Sequence, residues 1–121
     1  MPAILTQDQG LVVAERVLFA DGPLQRARGL LGRPPLDPGE ALLIVGGGGQ
    51  VHTFGLSYAL DVLFVDREWR VIRATRGLRP RRITRWVGKT RYVIELRAGS
   101  VPAGISPGTR LMLCDDAPAS P

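Results

Sequence analysis

Apolar residues along this chain occur in short runs that are separated by turns rich in glycine, proline and aspartate. Runs of this length, with β-branched and aromatic residues among them, are typical of β-strands. The pattern predicts one or two strands in residues 11–20 and further strands at 41–45, 51–57, 60–65, 69–75, 91–97 and 109–114. The run 41–45 is continuously apolar, which indicates a strand that is covered on both faces.

One segment has helical instead of strand periodicity. Leu24, Ala27 and Leu31 recur at three- and four-residue spacing, and Gly32 with the prolines after it ends the pattern. The spacing predicts a short helix at about 23–31, and we expect a second helical turn near 99–105. Six to eight short strands without regular strand–helix alternation predict a mainly β fold, either an antiparallel β-sandwich or a partly closed barrel.

The length and composition predict a single globular domain. The chain has 121 residues, of which 45% are hydrophobic and 22% are charged, and it contains no internal repeat. We assign residues 11–114 to the domain, 1–10 to an N-terminal extension and 115–121 to a disordered tail.

Targeting signals and metal sites are not visible in the sequence. No apolar run approaches the ~20 residues that cross a bilayer, and the first residues do not resemble a secretory signal. We therefore expect a cytoplasmic protein, although a mature exported chain would have the same features. One histidine and the single Cys114 cannot supply the four ligands of a structural zinc site, and no cofactor motif is present, so neither a metal nor a cofactor is expected.

Charge is segregated along the chain. The net charge is +5, but residues 67–97 contain eleven basic residues against Glu68 and Glu95, which gives +9 and leaves −4 for the rest. We predict that the irregular loop 76–90 binds an anionic partner through Arg79, Arg81, Arg82, Arg85, Trp86 and Lys89. Nucleic acid is an alternative partner, because cations can neutralise phosphates and rings can stack on bases. A purely solvated arginine-rich face is the simplest alternative.

His52 and Asp61 are polar residues within apolar surroundings. A histidine with an adjacent carboxylate could act as a general base, but no nucleophile motif accompanies the two, so a structural role is the preferred interpretation. A carboxylate between apolar neighbours needs hydrogen-bond donors. For Asp61 we expect these donors to be Arg28 or Arg33, or backbone amides near 53–56.

Glu95 belongs to an alternating segment. Tyr92, Ile94 and Leu96 would face the core, so Glu95 is expected on the solvated face beside Arg91 and Arg97. A buried pair between Glu95 and an arginine of the helix is the alternative.

Three sequence blocks resemble a known family. They are RARGLLGR at 26–33, VHTFGL at 51–56 leading to LDVLFVD at 60–66, and VIELRAG at 93–99. Their order and spacing resemble those of the uncharacterised DUF192 family, also called UPF0127. The resemblance implies a compact, mainly β domain and implies no reaction.

These observations favour a non-enzymatic binding or accessory module whose basic loop meets an anionic partner of unknown identity. The alternatives are a hydrolase-like enzyme with a His52/Asp61 pocket and a weak nucleic-acid binder that uses the 67–97 segment. No membrane span is expected.

Overall fold

The computed structural model describes residues 1–20, 22, 29–46 and 48–116, and it forms two β-sheets from eight strands. The strands are β1 (Ala3–Thr6), β2 (Val12–Ala14), β3 (Arg16–Phe19), β4 (Glu40–Val45), β5 (Leu60–Val65), β6 (Val71–Leu78), β7 (Tyr92–Arg97) and β8 (Leu111–Cys114). The described chain contains no defined helix, and the two sheets do not close into a barrel. The mainly β prediction is confirmed in its sandwich-like form.

The smaller sheet has three antiparallel strands in the order β2-β1-β8. Its central strand is β1, whose four residues are all buried. Residues 1–10, which the sequence assigned to an extension, therefore contain the strand that holds this sheet together.

The larger sheet has the order β3-β4-β7-β5-β6, with β7 at its centre. Its pairs are antiparallel except β3 and β4, which run parallel in the register Val17↔Ala41 and Leu18↔Leu42. A parallel pair needs a connection of about a dozen residues or more, and residues 20–39 are long enough to provide it. The sheet is thus mixed, where a purely antiparallel one was expected.

Apolar side chains cover both faces of the larger sheet. The cluster between the two sheets includes Leu43, Leu63 and Ile94, while Leu42, Val62 and others form a second cluster on the outer face. This two-sided burial is why β4 and β5 are so continuously apolar.

Three segments for which the sequence predicted a helix, a helical turn or a strand are not found as such in the described residues. The proposed helix at 23–31 falls mostly on residues 23–28, which lie outside the described residues. Residues 99–105 form hydrogen-bonded turns in place of a helical turn. Residues 51–57 are not a strand: His52 makes one isolated bridge to Ile83, and the chain turns soon afterwards.

Candidate functional site

Residues 48–54 and 79–90 run alongside each other and form what we call the basic ribbon. Backbone hydrogen bonds join the amide of Thr84 to the carbonyl of Val51 and the amide of Val87 to that of Gly49, each 2.8 Å long. The Thr84 hydroxyl also accepts a bond from the amide of Val51. The 79–90 loop is irregular in secondary structure, but these bonds hold its backbone in place.

Gly49 lies where the two halves of the ribbon come closest. A Cβ atom at this position would overlap the backbone carbonyl of Val87. The glycine-rich segment 46–49 therefore includes a position where a second backbone approaches too closely for any side chain.

All six residues proposed from the sequence for binding have exposed side chains: Arg79, Arg81, Arg82, Arg85, Trp86 and Lys89. Neither half of the ribbon contains an acidic residue. Among the described residues, the ion pairs involve only the N-terminus with Asp116 and Arg16 with Glu15, so the ribbon's cations have no carboxylate partner.

A groove of about 740 Å³ opens beside the ribbon, at the edge of the larger sheet where β4 and β5 end and β7 begins. Four exposed cations line this glycine-loop groove together with Gly46 and Gly48: Arg67, Arg70, Lys89 and Arg91. The amide of Gly46 donates to the carbonyl of Arg91, and the amide of Arg91 donates to that of Val65, so three chain segments meet here.

Two acidic residues also line the groove, but one of them is already engaged. Asp66 Oδ1 accepts hydrogen bonds of 2.9 Å from the amides of Glu68 and Arg70, which closes the turn between β5 and β6. Glu68 is exposed and makes no ion pair with a described residue. The lining of four cations and two acids has an excess of two positive charges, which suits an anion.

Asp61 is buried on the face of β5 that points between the sheets, and backbone amides surround it. Its Oδ1 accepts from the amide of Gly77 at 2.9 Å, and its Oδ2 accepts from Gly99 at 3.0 Å and Val101 at 3.1 Å. Of the expected donors, neither Arg33 nor the amides near 53–56 bond to it. Arg28 lies outside the described residues.

The sequence could not reveal these donors, because they come from β6 and from the turn after β7. A register shift between Leu60 and Val62 in the pairing of β5 with β6 accompanies the bond from Gly77, whose φ is +64°. A register shift of this kind changes the direction in which nearby backbone groups point.

His52 and Asp61 do not form a hydrogen-bonded pair. The His52 side chain is exposed on the ribbon, where its ring centroid lies 5.8 Å from that of Phe54. Asp61 is 1% exposed and enclosed by amides. The structure does not bring these residues together in the arrangement that the enzyme alternative requires.

The Glu95 side chain is buried, so the expectation that it is solvated was wrong. It is 4% exposed and lies on the outer face of β7, between Leu42 of β4 and Val62 of β5. Its Oε1 has no hydrogen-bond partner among the described residues, and burial raises its pKa to about 7. A Cβ on Gly29 would lie only 3.0 Å from that oxygen.

A signal for this burial was present in the sequence. Glu95 alternates in phase with the apolar Val93, whereas the position of β7 between two apolar strands that are covered on both faces is decided by the fold. Tyr58 is also close to this carboxyl group: its hydroxyl is buried without a described partner, and its pKa is raised by burial and then by the charge of Glu95.

The other polar residues form no further cluster in the described part of the chain. Arg33 is half-buried after a turn in which its amide donates to Leu30, and Cys114 is a partly exposed free thiol at the end of β8. No group of three or more potential metal ligands occurs among the described residues. Within the same residues, no helix has the length and apolar character needed to cross a membrane.

Two solved structures are similar to this chain. A protein of unknown function from Novosphingobium aromaticivorans DSM 12444 matches with a TM-score of 0.77 and 24% identity, over 93% of this chain and 84% of that one. A protein from Sinorhizobium meliloti 1021, described as a "putative transcription regulator", matches with a TM-score of 0.71 and 26% identity, over 92% of this chain and 90% of that one. A comparison with curated proteins finds no match.

The family model for DUF192, described as "Uncharacterized ACR, COG1430", matches residues 3–113, which confirms the resemblance seen in the three sequence blocks. This chain belongs to the DUF192 family.

Proposed function

We propose that the protein is a non-enzymatic binding module that holds an anionic partner on the basic ribbon and in the glycine-loop groove. The observation that carries the proposal is the display of exposed cations on a backbone held by hydrogen bonds, with no carboxylate partner among the described residues. Cations that are neither paired nor buried are available to neutralise a ligand's charge.

Geometry favours this function over catalysis at His52 and Asp61. The two amides that bond to Oδ2 of Asp61 and the one that bonds to Oδ1 occupy its carboxylate, and the His52 ring is on the surface. The similar Sinorhizobium protein is described as a "putative transcription regulator". Nucleic acid is an anionic partner of the proposed kind.

Inorganic polyphosphate is a suitable first probe, because it carries phosphate charge without bases. We expect calorimetric titration of the full chain to show binding at low ionic strength and a steep loss of affinity as salt is added. A variant with Arg81, Arg82 and Arg85 all changed to Gln should bind more weakly. Its slope of log affinity against log salt should be shallower by about 0.7 for each phosphate that the variant no longer neutralises.

Arg97→Gln provides the matched control. Arg97 is exposed like the ribbon arginines, but it ends β7, whereas Lys89 and Arg91 precede the first residue of that strand. Its replacement should leave polyphosphate affinity unchanged. Absence of binding by the wild-type chain at low ionic strength would refute the proposal, as would equal weakening in the control and the triple variant.

A further inference from the structure

Trp86 is more exposed than any other tryptophan, tyrosine or phenylalanine of the described chain; Phe54, also on the ribbon, is 52% exposed and Phe19 is 39% exposed. Its side chain is 68% exposed, although tryptophan normally buries most of its large apolar surface. The ring edge at Cζ3 and Cη2 lies over Gly48, within 3.8 Å of the position that a Cβ there would occupy. The indole edge therefore lies beside Gly48, and most of the ring remains open.

The ring of Trp69, the other tryptophan, is not open to solvent in the way that the ring of Trp86 is. Its ring stacks on Tyr92 with centroids 4.2 Å apart and an interplanar angle of 22°, and both rings pack against the core between the sheets. The open ring of Trp86 is thus a separate surface feature and does not continue an aromatic core cluster.

Trp86 adjoins the glycine-loop groove. Gly48, beside which the indole edge lies, also lines the groove, so the ring stands near the rim of a concavity whose cations are Arg67, Arg70, Lys89 and Arg91. A cationic groove bordered by an exposed aromatic ring is the arrangement by which proteins bind single-stranded nucleic acids, with phosphates in the groove and bases stacked on the ring.

We infer that the anionic partner is a single-stranded nucleic acid, with phosphates in the glycine-loop groove and an unpaired base stacked on Trp86. This inference rests on the proposed function and names its partner. A duplex fits less well because its bases are stacked on one another and cannot present a free face to the indole.

Three probes of equal phosphate number separate this inference from general anion binding: oligo(dT), a duplex oligonucleotide and inorganic polyphosphate. We expect oligo(dT) to bind most tightly and to quench the fluorescence of Trp86, whereas polyphosphate should bind without stacking. In Trp86→Leu the affinity for oligo(dT) should fall about five- to hundred-fold, as expected when one base no longer stacks, and the affinity for polyphosphate should not change.

Trp86→Phe keeps an aromatic ring and should recover part of the affinity for oligo(dT). Arg67→Gln combined with Arg70→Gln should weaken binding of oligo(dT) and polyphosphate alike, and Arg97→Gln should weaken neither. The circular dichroism spectrum and residual Trp69 emission report whether each variant is folded.

The possible outcomes separate the inference from the proposed function. If polyphosphate binds but oligo(dT) binds no tighter, or if Trp86→Leu leaves oligo(dT) affinity intact, the inference is overturned while the proposed function stands. Tighter binding of the duplex overturns it as well. If polyphosphate does not bind at low ionic strength, the proposed function and the inference that rests on it fall together.

Discussion

Two buried carboxyl groups occupy opposite faces of the larger sheet, and the atoms around them give them different properties. Asp61 accepts hydrogen bonds from three backbone amides, which join β5 to β6 and to the turn after β7. Glu95 Oε1 has no described partner, so burial favours its neutral form. The two carboxyl groups differ in the hydrogen-bond donors around them, since both side chains are removed from water.

Replacing Asp61 should strongly destabilise the fold. Asp61→Ala leaves the amides of Gly77, Gly99 and Val101 without their acceptor, and an unsatisfied donor as buried as that of Val101 costs roughly 1–3 kcal/mol. Asp61→Asn should also be destabilising, because its NH₂ group would face an amide donor in either orientation. Urea unfolding measures both effects. Midpoints equal to that of the wild type would show that the three bonds contribute nothing.

Glu95 should make stability depend on pH. Its pKa is about 7 in the folded chain against 4.5 in the unfolded reference, so the folded state binds more protons between these values. Stability from this group is complete below pH 4.5 and is lost as pH rises to about 7, by up to about 3 kcal/mol. The measurement is the free energy of unfolding across this range.

Glu95→Gln isolates that contribution, because glutamine has nearly the same shape and does not titrate. The variant should match the wild type near pH 4.5 and exceed it in stability at pH 8. A constant difference between the two proteins over this range would mean that Glu95 does not titrate as described.

At the scale of elements, the basic ribbon shows order without regular secondary structure. Its two halves are joined by backbone bonds and by the side chain of Thr53, whose hydroxyl donates to the carbonyl of Arg79 and accepts from the amide of Arg82. Thr53 is fully buried, and the two bonds are partly shielded from water. The exposed cations therefore belong to a backbone that hydrogen bonds from the buried Thr53 side chain hold in place.

Two glycines of the basic ribbon provide a matched pair of substitutions. Gly49→Ala should destabilise the protein by about 1–3 kcal/mol and weaken polyphosphate binding, because the new methyl group would overlap the carbonyl of Val87. Gly88→Ala meets no atom within 4 Å and should change stability by less than about 0.5 kcal/mol. Thermal unfolding compares them, and equal effects would contradict the close approach at Gly49.

At the scale of the whole molecule, the first and last strands of the described chain pair in the smaller sheet. β1 pairs with β8 over the four positions from Ala3↔Cys114 to Thr6↔Leu111, and it pairs with β2 on its other side. The smaller sheet covers one face of the larger sheet, since Ile4 and Leu111 belong to the cluster between the two. The N-terminal strand thus contributes to the core of the entire domain.

Deleting residues 1–6 should therefore cost several kcal/mol and remove cooperative unfolding. The deletion removes Ile4 and Leu5, whose burial contributes roughly 1.5–3 kcal/mol each, and it leaves both neighbouring strands unpaired. Gln9→Ser, in an exposed turn, is the control. Unchanged thermal unfolding of the truncated chain would show that these residues are an extension, as the sequence alone suggested.

The apolar runs by themselves determined most of the strands, because a strand that is covered by other elements must be apolar along its length. β4 and β5 were predicted within a residue of their ends, and the three family blocks were sufficient to identify the family. The segregation of positive charge was equally visible, since it depends only on residue type.

Tertiary structure alone decided which polar groups meet, because those contacts join residues far apart in the chain. The amides of residues 77, 99 and 101 reach Asp61 across 16 to 40 positions, and the two apolar strands beside β7 bury Glu95. The glycine-loop groove likewise forms only where three strand ends come together. Local sequence sets each residue's preference for strand or turn. The neighbours that the fold places around a residue set its solvation, its pKa and its hydrogen-bond partners.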